Sequence, residues 1–272
     1  MNKTTDDIHF QKKFGQNFIY DQNLLHAICN DAGVSKETEV LEIGAGSGNL
    51  TKALAQHAKQ VVSYEIDQNL QPVLHKNLAN LPNVKVVYGD ILKQSMDSIE
   101  NHFSGNYVMV ANLPYYITTP ILFYFVEQAT KLTKMTVMVQ KEVAERLVAK
   151  PNTKDYGVIT VMLNAIANLT IARIVKRNMF TPIPNVDSAI VTIEFAPKFA
   201  IANTVMFRSV VKSAFAMRRK TLANNLKTAF SLNNEQVEAL LTKLGLPLAI
   251  RGEVLSVQQF VALANELTTF LK

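Results

Sequence analysis

Short apolar segments alternate with segments of helical spacing from about residue 36 to residue 195. Four apolar segments end in turns and are predicted strands: EVLEIGAG (39–46), QVVSYEID (60–67), VKVVYGDI (84–91) and YVMVANLPY (107–115). Helices are predicted between and after them at 49–58, 69–80 and 121–129. A strand that enters a helix (135–143) and a late strand (189–195) complete the pattern. This alternation predicts βαβ units and a doubly wound, mostly parallel sheet, so the predicted fold class is α/β.

The pattern changes after residue 197, where only helices are predicted. They cover residues 205–227, 234–244 and 256–271. In the first of these, apolar residues recur at roughly helical spacing: Phe207, Val210, Val211, Ala214, Phe215, Leu222 and Leu226. The change predicts two domains, a catalytic α/β domain at 1–197 and a small helical domain at 198–272.

The first predicted strand runs into a turn with three glycines, Gly44, Gly46 and Gly48. Glycine between a strand and a helix lets the backbone turn tightly and approach a ligand. A dinucleotide fingerprint would need glycine at position 49, which is Asn49, and no Lys-Ser or Lys-Thr pair follows to make a phosphate-binding loop. An ordinary strand-to-helix turn is the alternative interpretation.

Two carboxylates distinguish between possible ligands of this turn. Glu65 ends the second strand, where a carboxylate accepts both ribose hydroxyls of a bound nucleoside. Asp90 ends the third strand, where an acid can accept a hydrogen from an adenine amino group. An adenosine that carries no phosphate would use both acids, and S-adenosylmethionine (SAM) is such a ligand. The alternative is a pair of solvated acids at strand ends.

The fourth strand ends in NLPY, which is Asn112, Leu113, Pro114 and Tyr115. An exocyclic base amine is a poor nucleophile because its lone pair is delocalised into the ring. The Asn112 side-chain oxygen and a backbone carbonyl near Pro114 could accept its two hydrogens and turn the lone pair toward a methyl group. Tyr115 offers a ring for stacking a flipped-out base. Alone, NLPY is a common turn; behind the glycine turn it predicts a clamp for amine methylation.

Composition narrows the class of protein. With 48% hydrophobic and 18% charged residues, the chain is globular. Its single cysteine, Cys29, excludes a disulfide framework, and the five scattered histidines predict no metal. Cys29 falls in an early helix, which disfavours a cytosine C5 methyltransferase because that enzyme needs a cysteine nucleophile. The first residues lack the apolar region of a signal peptide and no apolar stretch approaches about 18 residues, so we expect a soluble, cytoplasmic protein without a membrane partner.

Seven stretches, spread over nearly the whole chain, carry a resemblance to one enzyme family. They are KKFGQNFIYDQNLL (12–25), VLEIGAGSGNLT (40–51), YEID (64–67), GDIL (89–92), ANLPYYITTPIL (111–122), FTPIPNVDSAIV (180–191) and RRKTLANNLK (218–227). In this order they resemble the small-subunit (16S) ribosomal RNA adenine N6,N6-dimethyltransferase family. The motif here has Leu113 where a second proline could stand. In this it resembles the RNA adenine methyltransferases more than the DNA adenine methyltransferases.

The resemblance implies a Rossmann-like SAM-dependent methyltransferase domain, whose N-terminal segment closes over the cofactor, and an all-helical C-terminal domain. It further implies two transfers to each of two adjacent adenosines in a hairpin near the 3′ end of small-subunit rRNA, during subunit assembly. The implied SAM contacts are Asn17, Ile19, Gly44, Gly46, Glu65, Asp90 and Asn112. The family places Phe180 opposite Tyr115 to sandwich the base, although the sequence alone favours a core aromatic there. Tyr116 stands where the usual pattern has Asn.

Basic residues are concentrated in two places. The chain has a formal net charge of +6, and no acidic residue lies between positions 195 and 234. Arg218, Arg219 and Lys220 fall within that range, and Arg173, Lys176 and Arg177 precede Phe180. A solvated helical face is the ordinary interpretation. We expect phosphate contacts instead, which position RNA without reading its sequence.

Three other functions stay open at this point. A large-subunit rRNA methyltransferase of the macrolide-resistance type shares the glycine turn and NLPY, although RRKTLANNLK and PNVDSAIV favour the small-subunit enzyme. A non-catalytic ribosome-assembly factor on the same fold would not need Glu65, Asp90 and Asn112. A nicotinamide oxidoreductase is opposed by Asn49. Nothing in the sequence requires more than a monomer.

Replacing Asn112 with alanine tests the clamp. Asn112→Ala removes the predicted acceptor for the amine and should abolish methyl transfer, by at least about a hundredfold in turnover. Binding of SAM and RNA should be partly spared, because other residues contribute to both. Turnover of labelled SAM and equilibrium binding measure the two effects. Unchanged turnover would refute the clamp.

Overall fold

The computed structural model describes residues 16–271 and divides the chain into two compact units. The first unit holds the chain up to Ala144 together with Thr170–Glu194, and the second holds Glu145–Leu169 and the chain from Phe195 onward. Residues 145–169 thus pack with the C-terminal helices, whereas the sequence boundary near 197 groups them with the catalytic domain. The assignment of separate functions to 1–197 and 198–272 stays a prediction.

The predicted α/β sheet is present and has seven strands. The strands of the described chain are β1 (Phe18–Ile19), β2 (Glu39–Ile43), β3 (Gln60–Glu65), β4 (Val84–Tyr88), β5 (Tyr107–Asn112), β6 (Leu132–Gln140), β7 (Ala167–Val175), β8 (Phe180–Thr181) and β9 (Ser188–Phe195). The large sheet has the order β4-β3-β2-β5-β6-β9-β7, and β1 pairs separately with β8. Strands β4, β3, β2, β5 and β6 are parallel, and β9 is antiparallel to β6. The sheet is therefore mostly parallel, as predicted.

The strand order reverses beside β2. The chain continues from β2 to β3 and β4 on one side and then returns to place β5 on the other. Open α/β sheets bind ligands outside the carboxyl ends of the strands at such a switch point. The register aligns Ile43 with Tyr64 on one side and with Ala111 on the other. The residues that follow these three positions therefore emerge side by side.

Helices connect the strands and form most of the second unit. They are α1 (Gln22–Ala32), α2 (Asn49–His57), α3 (Gln71–Leu78), α4 (Met96–Glu100), α5 (Thr118–Gln128), α6 (Lys141–Leu147), α7 (Val158–Ile166), α8 (Thr204–Ala214), α9 (Leu222–Phe230), α10 (Asn234–Lys243) and α11 (Val257–Phe270). Local chemistry sets their ends: Asp21 accepts from Leu24 N–H at the start of α1, and Gly33 ends it at φ +70°. Within residues 16–271, no helix is long and apolar enough to cross a membrane.

The predicted helix at 205–227 is wrong, because the structure has two helices there. Helix α8 ends at Ala214 and α9 starts after Thr221, whose hydroxyl accepts from Asn224 N–H. The buried Asn225 donates to the carbonyls of Ala214 and Met217 at 3.1 and 3.5 Å, which satisfies backbone groups in the break. Each of the two helices buries an apolar face, and the helical spacing of apolar residues continues across the break. Periodicity alone therefore did not reveal the break.

A fully buried carboxyl group lies under the glycine turn. Glu42 in β2 is 0% exposed, and its Oε2 accepts hydrogen bonds from Thr51 and Ser63 hydroxyls, each at 2.6 Å. Its Oε1 has no hydrogen-bond partner among the described residues. Burial raises the pKa of Glu42 to about 7, against the two hydroxyl donors, which lower it, and with a smaller contribution from Glu65 that raises it.

Replacing Glu42 with glutamine should change how stability depends on pH. The folded-state pKa of about 7 lies above the ordinary value of 4.5. The protonated group therefore contributes stability that is complete below pH 4.5 and is lost as the pH rises through 7. Glu42→Gln should remove this loss of folding stability. The loss is on the order of 3 kcal/mol, because each unit of pKa shift corresponds to about 1.4 kcal/mol. Urea unfolding between about pH 5 and pH 8 measures it.

The exposed Glu37 provides the matched control for Glu42. Glu37→Gln makes the same chemical change without altering a buried group, so its pH profile should follow that of the wild type. If Glu42→Gln leaves the pH profile unchanged, the carboxyl group of Glu42 is ionised in the folded protein throughout this range.

Candidate active site

The predicted cofactor and clamp residues meet at one pocket of the first unit. Gly44 follows β2, Glu65 ends β3, Asp90 follows β4 and Asn112 ends β5. All four line a pocket of about 990 Å³, a volume that includes space open to solvent. Four sequence-distant strand ends are thus brought to a single edge of the sheet, which is where parallel strands place their carboxyl ends. Their contacts with a ligand stay predictions.

The glycine turn has backbone angles that other residues rarely adopt. Gly44, Gly46 and Gly48 have φ of +84°, +56° and +83°. Gly44 N–H donates to the Tyr64 carbonyl at 2.8 Å, which ties the turn to β3. A Cβ on Gly46 would lie 2.8 Å from the Phe18 ring. The glycines therefore allow both the turn and the close approach of Phe18, a pocket residue that the sequence analysis missed although it lies within the QNFI motif.

Glu65 holds the turn through its carboxylate. The side chain is 5% exposed, and its two oxygens accept from Gly46 N–H and Asp67 N–H, each at 2.8 Å. Burial raises the pKa of Glu65, while these backbone donors lower it and Asp67 raises it. Each carboxylate oxygen has a second lone pair, so hydroxyl donors such as those of a ribose can still bind.

Asp90 uses one oxygen to start a short helical turn. Its Oδ1 accepts from Leu92 N–H at 3.0 Å, at the head of the turn Ile91–Lys93. This contact fixes the side chain at the pocket edge, where Asp90 is a lining residue. The other oxygen, Oδ2, is an acceptor for which no protein donor lies within bonding distance among residues 16–271. The geometry is consistent with acceptance from an adenine amino group, as predicted from the sequence.

The side-chain amide of Asn112 is oriented by the backbone of Asn17, the residue that precedes β1. Asn112 Nδ2 donates to the Asn17 carbonyl at 2.8 Å. This bond assigns the nitrogen to one end of the amide, so Oδ1 is the end available as an acceptor. Within the described part of the chain, Asn112 Oδ1 accepts no hydrogen bond from the protein. Asn112 and Asn17 both line the pocket.

The carbonyl of Pro114 is already used by the protein. It accepts from Ile117 N–H and from the Thr118 hydroxyl, both at 3.1 Å. The second acceptor of the clamp is predicted from the sequence to be a backbone carbonyl near Pro114. Leu113, whose N–H donates to Met138 at 3.2 Å, has a carbonyl that no donor in residues 16–271 reaches. The structure therefore favours the Leu113 carbonyl as the second acceptor.

Tyr115 is held by its hydroxyl group. Tyr115 Oη and Ser188 Oγ are 2.8 Å apart, and Ser188 is fully buried at the start of β9. Burial raises the pKa of Tyr115, and the bond to Ser188 lowers it. The half-buried ring lines the pocket, whereas Tyr116 beside it is 59% exposed. Ser188 belongs to the matched stretch 180–191, but nothing in that stretch indicates that it positions Tyr115.

Phe180 lies in the hydrophobic core and not at the pocket. It is 2% exposed, pairs with Ile19 across β1 and β8, and packs in a cluster with Ile28 and Ile190. It does not line the pocket. This location favours the core aromatic that the sequence alone indicated. Base stacking by Phe180, which came from the family resemblance, stays a prediction.

The N-terminal contacts are partly described. Asn17 lines the pocket, and Ile19 is a buried lining residue whose carbonyl accepts from Asn49 Nδ2 at 2.8 Å. Asn49, considered in the sequence only as the residue that breaks a dinucleotide motif, thus attaches β1 to α2. Residues 12–15 of the matched motif, and the predicted closing segment before them, lie outside the described residues.

The three predicted phosphate contacts of the first unit, Arg173, Lys176 and Arg177, differ in how free their side chains are to bind a phosphate. Arg173 makes two hydrogen bonds to the Asp31 carboxylate, at 2.6 and 2.7 Å, which raise the pKa of Arg173. Lys176 pairs with Asp187 at 2.9 Å but is exposed to solvent. Arg177 is exposed, and its side chain has no protein partner in the described range. Arg173 therefore mainly stabilises the fold through Asp31. Of the three, Arg177 has the side chain best placed to bind a phosphate.

The three predicted phosphate contacts of the second unit, Arg218, Arg219 and Lys220, are all exposed. Arg218 donates to the Lys154 carbonyl at 3.1 Å, which uses part of its guanidinium. Arg219 and Lys220 lie in the turn between α8 and α9, and the side chain of neither has a protein partner among residues 16–271. A phosphate group is a suitable ligand for these side chains. Their contact with RNA stays a prediction.

Comparison with known families identifies the enzyme class. The profile described as ribosomal RNA adenine dimethylase matches residues 8–269, nearly the whole chain. The chain belongs to the ribosomal RNA adenine dimethylase family. Membership in this methyltransferase family confirms the resemblance found in the sequence and implies SAM as the methyl donor. It also fits Cys29, whose buried thiol has its pKa raised to about 11 and is no nucleophile.

Relatives in this dimethylase family match over nearly their full length. The ribosomal RNA small subunit methyltransferase A of Bacillus thuringiensis (strain Al Hakam) is 42% identical over 279 residues, covering 98% of this chain and 96% of that protein. The protein of the same name from Bacillus mycoides (strain KBAB4) matches with the same identity and coverage.

Two solved structures share the fold. A dimethyladenosine transferase from Plasmodium falciparum aligns with a TM-score of 0.77 at 25% identity, covering 93% of this chain and 98% of that one. The 23S rRNA methyltransferase ErmE aligns with a TM-score of 0.70 at 29% identity, covering 93% and 100%. The methyltransferase fold with its C-terminal helices is thereby confirmed.

Replacing Gly46 with alanine should disturb the cofactor side of the pocket. The new Cβ would lie 2.8 Å from the Phe18 ring at a φ of +56°, so the ring or the turn must move. We expect SAM affinity to fall by about tenfold, since both parts line the pocket. Isothermal titration calorimetry measures the affinity.

The control for Gly46 is Gly105, where an added Cβ meets nothing within 4 Å. Gly105→Ala should bind SAM as the wild type does. Equal SAM affinity for Gly46→Ala and the wild type would mean that the turn and Phe18 do not shape the binding site.

Proposed function

We propose that this protein dimethylates the N6 amines of two adjacent adenosines near the 3′ end of small-subunit rRNA, with SAM as the methyl donor. The observation that carries the proposal is 42% identity to small-subunit methyltransferases over 98% of the chain. Its pocket supports the reaction type, because an aromatic ring and two free acceptors lie at one end and two acids lie at the other.

The donor set of the pocket fits SAM. The adenosine part carries two ribose hydroxyls and one amino group as donors, and Glu65 and Asp90 supply acceptors at neighbouring strand ends. Gly44 and Gly46 let the backbone lie close to the ligand, and Asn17 and Ile19 line the same pocket. Bound SAM supplies a methyl group that a weak nucleophile can attack.

The chain's own contribution is to orient the amine. Asn112 Oδ1 and the Leu113 carbonyl accept the two N6 hydrogens, which draws the nitrogen lone pair out of conjugation with the ring. Tyr115, fixed through Ser188, supplies the face on which the base stacks. The amine of the second transfer has only one hydrogen, so stacking contributes a larger share of its binding. The proton can leave to solvent after the methyl transfer, so no general base is needed.

RNA binding is assigned to exposed basic groups in both units. In the first unit they are Lys176 and Arg177, with Arg173 held by Asp31. In the second they are Arg218, Arg219 and Lys220 in the turn after α8. Such contacts bind phosphates and fix position, while specificity comes from the shape of the folded rRNA. The helical domain at 198–272 acts as the substrate domain in this proposal.

A large-subunit rRNA methyltransferase is the second candidate. The structural match to ErmE at 29% identity favours it, whereas the 42% identity to small-subunit enzymes over nearly the full length opposes it. A non-catalytic assembly factor is disfavoured because Glu65, Asp90 and Asn112 are all present and gathered at one pocket. We further propose that the protein works as a monomer in the cytoplasm on assembling small subunits.

Methylation with labelled SAM tests the proposal on three substrates: undermethylated small subunits, large subunits and protein-free rRNA. We expect reverse-transcription stops at two adjacent adenosines near the 3′ end, only with small subunits. Stops in large-subunit RNA would establish the second candidate. SAM binding without transfer to any of the three would favour the assembly factor.

A further inference from the structure

A second cavity of the first unit adjoins Tyr115. It has a volume of about 510 Å³, which includes space open to solvent, and is lined by Asn17, Tyr115, Gln140, Ile183, Pro184, Asn185 and Val186. Asn17 and Tyr115 line both this cavity and the cofactor pocket, so the two spaces share a wall. A base stacked on Tyr115 with its amine at Asn112 would extend from one space into the other.

The position of Gln140 follows from the strand register. Gln140 ends β6 and lies directly opposite Ser188 of β9 in the antiparallel pair. Directly opposed residues project on the same face with Cβ atoms about 5 Å apart. Ser188 is the residue that binds the Tyr115 hydroxyl at 2.8 Å. The Gln140 side chain therefore lies beside the hydroxyl end of the Tyr115 ring.

The same strand relates Gln140 to the clamp. Met138 pairs with Asn112 across β5 and β6, and Gln140 lies two residues further along β6. Two residues of strand span about 7 Å and return to the same face. The Gln140 side chain is long enough to reach back over much of that distance. A base with its amine at Asn112 would therefore place the ring nitrogens beside N6 within reach of the Gln140 carboxamide.

The chemistry of Gln140 suits a purine edge. Its carboxamide is partly buried and has no hydrogen-bond partner among residues 16–271. A carboxamide at a cavity wall without a protein partner keeps its N–H donors and its oxygen acceptor available to a ligand. The other lining residues are Asn17 and Asn185, the Tyr115 ring, and the apolar Ile183, Pro184 and Val186. A few polar groups among aromatic and apolar walls are a usual composition for a base pocket.

We propose that this cavity holds the target adenine and that the Gln140 side-chain N–H donates to a ring nitrogen beside N6, either N1 or N7. The inference rests on the proposed function and names a residue that recognises its substrate base. The N6 hydrogens are taken by Asn112 and Leu113, so only the ring nitrogens remain for Gln140. Their lone pairs persist after each methylation, so this contact serves both transfers equally.

The test pairs a protein change with a substrate change. Small subunits are reconstituted with an rRNA 3′ fragment that carries adenosine, 1-deazaadenosine or 7-deazaadenosine at one target position. The wild type should lose about fivefold to tenfold in kcat/KM with one of the two analogues, as expected for one hydrogen bond. Gln140→Met, similar in length but without a donor, should lose the same factor on adenosine and nothing further on that analogue.

The exposed Gln71 at the start of α3 gives the matched control, because it lines neither cavity. Gln71→Met should behave as the wild type on all three substrates, and Gln140→Met should keep wild-type SAM affinity. Wild-type kinetics for Gln140→Met on adenosine, or equal sensitivity of both proteins to both analogues, would overturn the Gln140 contact alone. Absence of any transfer by the wild type to adenosine would overturn the proposed function as well.

Discussion

The parallel register of β3, β2 and β5 is the constraint on which the site depends. Backbone hydrogen bonds place Ile43 level with Tyr64 and Ala111, so the next residues, Gly44, Glu65 and Asn112, leave the sheet in one row. A slip of one residue in either strand pair would turn a carboxylate or an amide to the other face. The spacing of Glu65 and Asn112 along this edge is therefore set by the sheet, not by the loops.

Hydrogen bonds then fix each polar group in one state. Glu65 is engaged by two backbone N–H groups, Asn112 by the Asn17 carbonyl, and Tyr115 by Ser188. The result is a site with acceptors prepared before a ligand arrives. Such preorganisation suits a reaction in which the amine must be held and no strong base is needed. It also explains how separate segments of the chain present their polar groups at one pocket.

Much of the fold could be predicted because the apolar runs of a two-sided parallel sheet are distinctive. Val40, Val61 and Met109 are fully buried in strands that the pattern located. The break between α8 and α9 was missed because its cause is tertiary: Asn225 satisfies backbone carbonyls across the gap. Strand β7 was missed although its burial alternates, because Arg173 interrupts the apolar positions and is neutralised by Asp31 only in the fold.

The same distinction applies to the site. The residue types Gly44, Glu65, Asp90 and Asn112 carry their chemistry in the sequence, so their shared pocket could be anticipated. That the Pro114 carbonyl is already hydrogen-bonded could not be anticipated, because the donors that occupy it come from the following helical turn. Phe180 was assigned to the base through resemblance, whereas the packing of β8 against β1 places it in the core.

The Asn17–Asn112 hydrogen bond determines which way round the Asn112 carboxamide lies. A carboxamide has nearly the same shape when its oxygen and nitrogen are exchanged, so packing alone barely distinguishes the two orientations. The main-chain carbonyl of a residue 95 positions earlier makes that choice. Every amino acid has such a carbonyl, so the determinant leaves no mark in residue identity. The polarity of the reactive centre is thus encoded by the path of the chain.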